Sequence, residues 1–411
     1  MTARRSLLES GALFVVGYAG ALETVMTSPL TSLTDRYLTD EHDAFRAMCR
    51  RFTESVLIPG IQQWEEDEFT PKDIWKQAGD AGMLGPTLPA DLGGCGGDAL
   101  HALVWTEEVM RCGSGGLLSG LGSLEIALPA IVHLGTSEQQ ERWVRPVTSG
   151  ERVAALGITE PAAGSDVAGL RTRAVRDGDD YVINGSKTFI TSGIHADQVT
   201  VLARTSDDRH GGLTFFVVET DRPGFSVSKA LKKTGWRASD TAELSFDDLR
   251  VPLGNRLGVE GTGFVQLMRT FEGERLALAA QGCAIAEICY QDALSYARQR
   301  MAFGKTLTGF QVTRHKLARM ATQVVTAKAL TYAVAEQMRQ GIACPVEAAM
   351  AKNTAADIAM SVSYDAVQIF GGAGYMRETR VERLSRDARL LPIGGGTSEV
   401  MNEIIGKGLG L

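Results

Sequence analysis

Phe264 to Arg300, FVQLMRTFEGERLALAAQGCAIAEICYQDALSYARQR, reads as one long helix with an acid out of place. Phe264, Leu267, Phe271, Leu278 and Ile285 recur at helical spacing and so share a face meant to be buried. Glu274 falls on the same stripe, between Phe271 and Leu278. An ionised carboxylate turned toward an apolar interior is costly, so it either finds a partner or has a raised pKa. Two readings stay open at this point: an ion pair with Arg275 or Arg300, or a base held ready for chemistry.

Outward from this helix the period changes twice. From Asp40 to Gly150 the pattern is helical. Phe45, Met48, Phe52 and Val56 form one stripe, with Pro59 and Gly60 expected to stop it, and Thr70 is expected to cap a helix that opens at Pro71. At Glu151 the period becomes two. Short runs such as VAALGIT, DQVTVLAR and LTFFVVE alternate with Gly, Asp and Pro, and Asn184-Gly185 is a hairpin-turn signal. Helical periodicity returns near Gly258 in alanine-rich segments long enough to build a bundle. The expected class is α+β: a helical domain over 38–150, an antiparallel β-domain over 151–257 and a helical bundle over 258–411.

The bulk composition excludes several function classes. A net charge of -7 with no concentrated basic face argues against nucleic acid as a partner. Six cysteines without a CxxC, and six scattered histidines without HExxH, give no metal site and no disulfide framework. Reduced, mostly buried thiols in a cytoplasmic protein fit this usage. The leading MTARRSLLESGALFVVGYAGAL imitates a signal peptide, but its apolar run is too short for stable membrane insertion. Residues 1–37 are therefore read as a disordered extension or a mis-assigned start, with Met26 the alternative first residue.

Five blocks then identify a family. GITEPAAGSD (157–166), INGSKTFITSG, KTGWRASDTAEL, FGKTLTGFQ (303–311) and QIFGGAGYMRETRVERLSRDARLLPIGGGTSE (368–399) together resemble the acyl-CoA dehydrogenases, from about Leu38 to the C-terminus. The resemblance implies FAD-dependent α,β-dehydrogenation of an acyl-CoA to the 2-enoyl-CoA, with fatty-acid β-oxidation the expected setting. It implies a flavin lying on a wall that includes Leu156, Ile158, Thr159, Phe189 and Thr191, with Thr397 and Glu399 nearby. Ser165 matches a position touching cofactor and thioester, and Arg275 one near the substrate. Arg300, Phe303, Gln311, Gln368, Gly371 and Gly372 would grip the adenylate end from a neighbouring subunit in a homotetramer. No strand-associated GxGxxG occurs, so a dinucleotide fold is not how FAD would be held. Electron-transfer flavoprotein is the acceptor implied.

The chain departs from the commonest family pattern in one place. Many members carry a glutamate base just before the Gly-Thr of the last motif, and here that position is Gly395, followed by Gly396 and Thr397. The long-chain and isovaleryl branches instead take the base from the long helix in a Glu-Arg-Leu context. Glu274-Arg275-Leu276 matches that context, which makes Glu274 the expected base and Glu272 the next acid to consider. The Gly395 backbone N–H and Gly396 are expected at the thioester, where negative charge develops on the carbonyl oxygen. The glycines between 113 and 122 are expected to leave room for a medium to long acyl chain. Alternatives are an acyl oxidase, a dehydrogenase acting on a carrier-protein thioester, or a non-catalytic flavin-binding protein.

Overall fold

Gly263–Gln299 forms one uninterrupted helix of 37 residues. Leu267 and Ile285 are fully buried, and Phe264, Phe271 and Leu278 pack partly buried against the same core, so the stripe read from the sequence is the buried one. Each such side chain removed from water contributes roughly 1.5–3 kcal/mol. The helix packs most extensively on Pro345–Phe370 and then on Gln311–Arg339. Alanines at 279, 280, 351, 355 and 359 let these backbones approach closely. The computed structural model describes residues 33–411. The signal-like run and the Met26 start lie outside the described residues.

The N-terminal helices pack against the same core as the long helix. Residues 35–37, placed above in the extension, form a short turn, and Tyr37 sits 6.2 Å from the Tyr332 ring of the bundle. Pro59 does not stop the first helix. Asp40–Phe52 passes through a π-helical turn, Thr53–Leu57, into Ile58–Asp67, so Pro59 falls in the first turn of the next segment, where its missing N–H costs nothing. Thr70 does not cap a helix either; its buried hydroxyl donates to Ala238 O at 2.7 Å and ties this domain to the β-domain. His42, Asp98 and His101 bring ligand-capable atoms within 4.8 Å of one another. The Asp98 carboxylate is already committed there to both imidazoles and to the amides of Leu100 and His101. Burial opposes its ionisation, but those bonds hold it down at about 2.

The middle domain has strands β1 (Ala154–Gly157), β2 (Arg173–Asp177), β3 (Asp180–Thr191), β4 (Gln198–Arg204), β5 (Leu213–Glu219), β6 (Phe225–Ala230), β7 (Thr241–Pro252) and β8 (Arg256–Leu257). They form one sheet in the order β6-β7-β3-β2-β4-β5-β8, with β1 on β4. Its ladders are antiparallel except β1 on β4 and a single β2–β4 pair. Asn184-Gly185 is not a turn. The chain reverses at Asp177–Asp180, and β3 runs straight through Asn184 with a bulge. Gly185, at φ +145°, lies where a Cβ would fall 2.7 Å from Thr172 Cα, and Asn184 clasps Asp248 of β7 through two hydrogen bonds. The glycine serves close strand approach, which local turn chemistry imitates.

Candidate active site

Glu274 sits in the first third of the long helix, where the bundle meets the Gly394-Gly395-Gly396 loop. A Cβ built on Gly395 would stand 3.5 Å from Glu274 Oε1 and 2.3 Å from Leu278 Cδ1. The position of the missing acid and the acid on the helix therefore face the same space. A side chain at 395 would have to push the end of Leu278 aside, and the φ of +62° there favours glycine. Among the described residues no ion pair or hydrogen bond reaches the Glu274 carboxylate. Burial pushes it up to about 7, against the opposing pull of Arg275 and Lys352.

Neither arginine pairs with it. Arg300 ends the helix in extended conformation and is exposed. Arg275 is buried, its Nε has no partner, and it lies over the Phe271 ring at 6.0 Å; burial lowers its pKa. Glu272 is committed elsewhere, accepting the Cys344 amide at 3.0 Å where the next-but-one helix begins. Of the two acids Glu272 and Glu274, only Glu274 has a carboxylate without a partner among the described residues.

The flavin wall expected from Leu156, Ile158, Thr159, Phe189 and Thr191 is contiguous along β1, the segment after it and the end of β3. Thr188 N donates to Thr159 O at 2.8 Å. Beneath it Lys187, wholly buried, donates to Ile158 O at 2.9 Å and to Glu160 Oε1 at 2.8 Å. Phe189 stands out of this wall 68% exposed at φ +61°, a conformation rare for a bulky side chain. An exposed aromatic ring, two threonine hydroxyls and a rigid backbone suit a flat, mostly apolar ring system. Ser165 is exposed in the adjoining turn, and Thr397 caps the last helix through Val400 N, with exposed Glu399 two residues on.

The remaining expected cofactor residues lie on the bundle surface. Arg300, Gln311, Gln368, Gly371 and Gly372 are exposed, and Phe303, at the tip of a two-stranded hairpin, is 96% exposed. A Cβ at Gly371 or Gly372 would meet nothing in this chain. These glycines are not needed for packing within one chain, although Gly371, at φ +61°, also ends the Pro345–Phe370 helix.

One expectation is overturned. The glycines between 113 and 122 do not leave a hollow. A Cβ on Gly113 would fall 2.4 Å from Arg380 Cδ, on Gly115 2.6 Å from Gln281 Nε2, on Gly116 2.6 Å from Trp236 C, and on Gly122 3.0 Å from Leu118 O. They are used up in close packing, and only Gly120 has ordinary clearance, so they say nothing of acyl length.

Sequence reasoning did not single out Lys187, Glu160 or Lys352. Lys352 is 1% exposed, donates to Gly396 O at 2.5 Å and has its pKa lowered by burial to about 8. A lysine on the alanine-rich face of a buried helix is the signal that could have found it.

Comparison with known proteins identifies the family. The N-terminal, middle and C-terminal domain models of acyl-CoA dehydrogenase match residues 39–151, 155–249 and 261–410. The mitochondrial long-chain specific acyl-CoA dehydrogenase of Rattus norvegicus is 38% identical over 95% of this chain and 92% of its own. The short-chain specific acyl-CoA dehydrogenase of Clostridium acetobutylicum is 40% identical over 90% of this chain and 98% of its own. Among solved structures, a probable acyl CoA dehydrogenase from Mycobacterium abscessus superposes with a TM-score of 0.89 at 48% identity, covering 91% of this chain and all of that one. A glutaryl-CoA dehydrogenase from Mycobacterium smegmatis, solved in complex with FADH2, gives 0.86 at 29% identity over 92% and 96%. The chain belongs to the acyl-CoA dehydrogenase family, a family of oxidoreductases. Relatives named for long and for short chains are about equally similar, so overall identity does not select an acyl length.

Proposed function

We propose that this protein is a cytoplasmic FAD-dependent acyl-CoA dehydrogenase of β-oxidation in which Glu274 takes the α-proton. The single observation that carries this reading is the geometry at Glu274: a half-buried carboxylate with no hydrogen-bond or ion-pair partner among the described residues, facing a glycine at the position of the missing acid, where desolvation pushes its pKa up to about 7. A general base works best when its pKa lies near the working pH. The Gly395 N–H, which has no acceptor among the described residues, would bind the thioester carbonyl oxygen as charge develops there. Arg275 adds a buried positive charge beside the same site.

The residues that would hold FAD are Leu156, Ile158, Thr159, Ser165, Phe189, Thr191, Thr397 and Glu399 of one chain. Arg300, Phe303, Gln311, Gln368, Gly371 and Gly372 would come from a neighbour in a homotetramer. Bound there, the flavin supplies the acceptor for the β-hydride. Phe303 and the open glycines support the shared site, because each is exposed in a way that one chain does not explain. Electrons would leave to an electron-transfer flavoprotein. The three domains would divide at 150 and 257.

The test is anaerobic mixing of purified, yellow protein with acyl-CoAs of graded length. Bleaching of the flavin band with formation of 2-enoyl-CoA is expected. A protein purified gently without flavin, or a flavin that no acyl-CoA bleaches, overturns the reading.

A further inference from the structure

We propose that Lys352 is a positioning residue of the active site: from the Pro345–Phe370 helix it anchors the glycine loop at Gly396 and supplies a positive charge, present at neutral and acid pH, that helps Glu274 to ionise. The inference deepens the function proposed above and rests on Glu274 being the base. Its geometry does not depend on that function. Lys352 is 1% exposed, and its ammonium reaches Gly396 O at 2.5 Å, one residue from the glycine whose vacant Cβ position lies 3.5 Å from Glu274. The neighbouring Asn353 donates to Ser398 O at 3.1 Å and to Asn402 Oδ1 at 3.0 Å, so two successive side chains of one helix fasten the loop and the helix after it.

A lysine is rarely buried without an ion pair, because its ammonium loses most of its hydration. Here no carboxylate lies within ion-pair distance among the described residues, and a backbone carbonyl takes the proton donor instead. That choice leaves the charge uncancelled. It acts across the site on Glu274, whose charged neighbours are Arg275 on its own helix and Lys352 on the facing one. Glu272, also on that helix, is directed to Cys344 N. Lys352 in turn feels Glu274, Arg275, Asp357 and Glu399. The glycine loop itself contributes no titratable side chain. Arg275 acts on Glu274 from the next position of the same helix, whereas Lys352 is the cation tied to the glycine loop. A carboxylate partner would have neutralised it; an unpaired cation opposes the burial that would otherwise keep Glu274 protonated.

The experiment measures two quantities on holoenzyme: the pH profile of flavin reduction, and the titration of the Glu274 carboxyl by infrared difference spectra of each protein against its Glu274→Gln counterpart. In Lys352→Met the acid limb and the carboxyl titration should both move up by about one pH unit, the effect of removing a nearby opposite charge. At pH 6 the rate should then fall by about tenfold, since each pH unit below the pKa removes that much of the ionised base. Lys352→Arg keeps the charge on a different head and should keep the limb while lowering the maximal rate. Asn353→Ala should loosen the loop without moving the limb. A Met variant whose limb and carboxyl titration coincide with wild type overturns the proposal. If that variant does not fold, Lys352→Arg decides, since a limb that moves with the charge retained also overturns it. A wild-type flavin that no acyl-CoA bleaches counts against the proposed function, whereas the infrared titration, made without substrate, still judges Lys352.

Discussion

Two glutamates in this molecule, one buried and one half-buried, have opposite fates. Glu160, in the β-domain, accepts Lys187 Nζ at 2.8 Å and the amides of Arg171 and Thr172 at 2.6 and 2.9 Å. Burial pushes it up, but the lysine charge and these donors prevail and its pKa is lowered. Glu274, in the bundle, receives no donor, and burial prevails at about 7. Desolvation is common to both. What separates a strut from a base is whether the lone pairs are satisfied.

The largest effect should come from the unsatisfied member. Glu274→Gln keeps the shape and cannot accept a proton, so flavin reduction by acyl-CoA should fall by ~10²–10⁴, the usual worth of a general base, with flavin content and ligand binding retained. Stopped-flow absorbance reads this directly. Near-normal reduction would erase the distinction drawn between the two glutamates.

Breaking the satisfied member should cost stability instead. Lys187→Met leaves Glu160 buried without its cation and should destabilise the protein by about 3–5 kcal/mol. It also frees Ile158 O under the flavin wall. Chemical denaturation of the holoprotein would show the loss, accompanied by weaker flavin retention. A variant as stable as wild type would mean that the pair is ornamental.

Much of this contrast was legible in the sequence, and part of it was not. The two changes of period placed the layers, because periodicity reports which face is buried. Glu274 stood out for the same reason, an acid on an apolar stripe, and Gly395 gave its complement. What the sequence hid depends on distant partners. Asn184-Gly185 carries turn chemistry, yet Thr172 and Asp248 make it a bulge. The glycines of 113–122 resembled free space because their neighbours, Trp236, Gln281 and Arg380, come from other domains. Lys187 and Lys352 were passed over because their partners lie 27 or more residues away, beyond any local pattern.

A third effect, smaller and opposite in sign, separates stability from function at Glu274. In the unfolded chain a glutamate ionises near its ordinary value of 4.5, whereas in the native protein Glu274 holds its proton to about 7. The native state therefore binds more protons across that window, and stability declines as pH rises through it. Glu274→Gln should raise stability by about 1–3 kcal/mol at pH 8, where the full cost is present, and have no such effect below pH 4.5. Melting curves at the two pH values decide it. Equal shifts at both would place the benefit in packing rather than in the charge.

The smallest expected effect is the most direct test that the two acid positions serve one site. Gly395→Glu on the Glu274→Gln background restores a carboxylate on the opposite side of the same space. Alone it should recover little, because the new Cβ, 2.3 Å from Leu278 Cδ1, has to displace that side chain. The φ of +62° at 395 adds strain of roughly 1–2 kcal/mol for any residue with a side chain. Removing the obstruction with Leu278→Ala, whose methyl groups are only partly buried, should let the loop accept the glutamate. The triple variant should then reduce flavin about tenfold faster than Glu274→Gln with Leu278→Ala, well short of the ~10²–10⁴ lost, because the strained loop holds the new acid less well than a helix holds the old one. Equal rates in the two variants would mean that position 395 and Glu274 do not address the same proton, however close their side-chain positions lie.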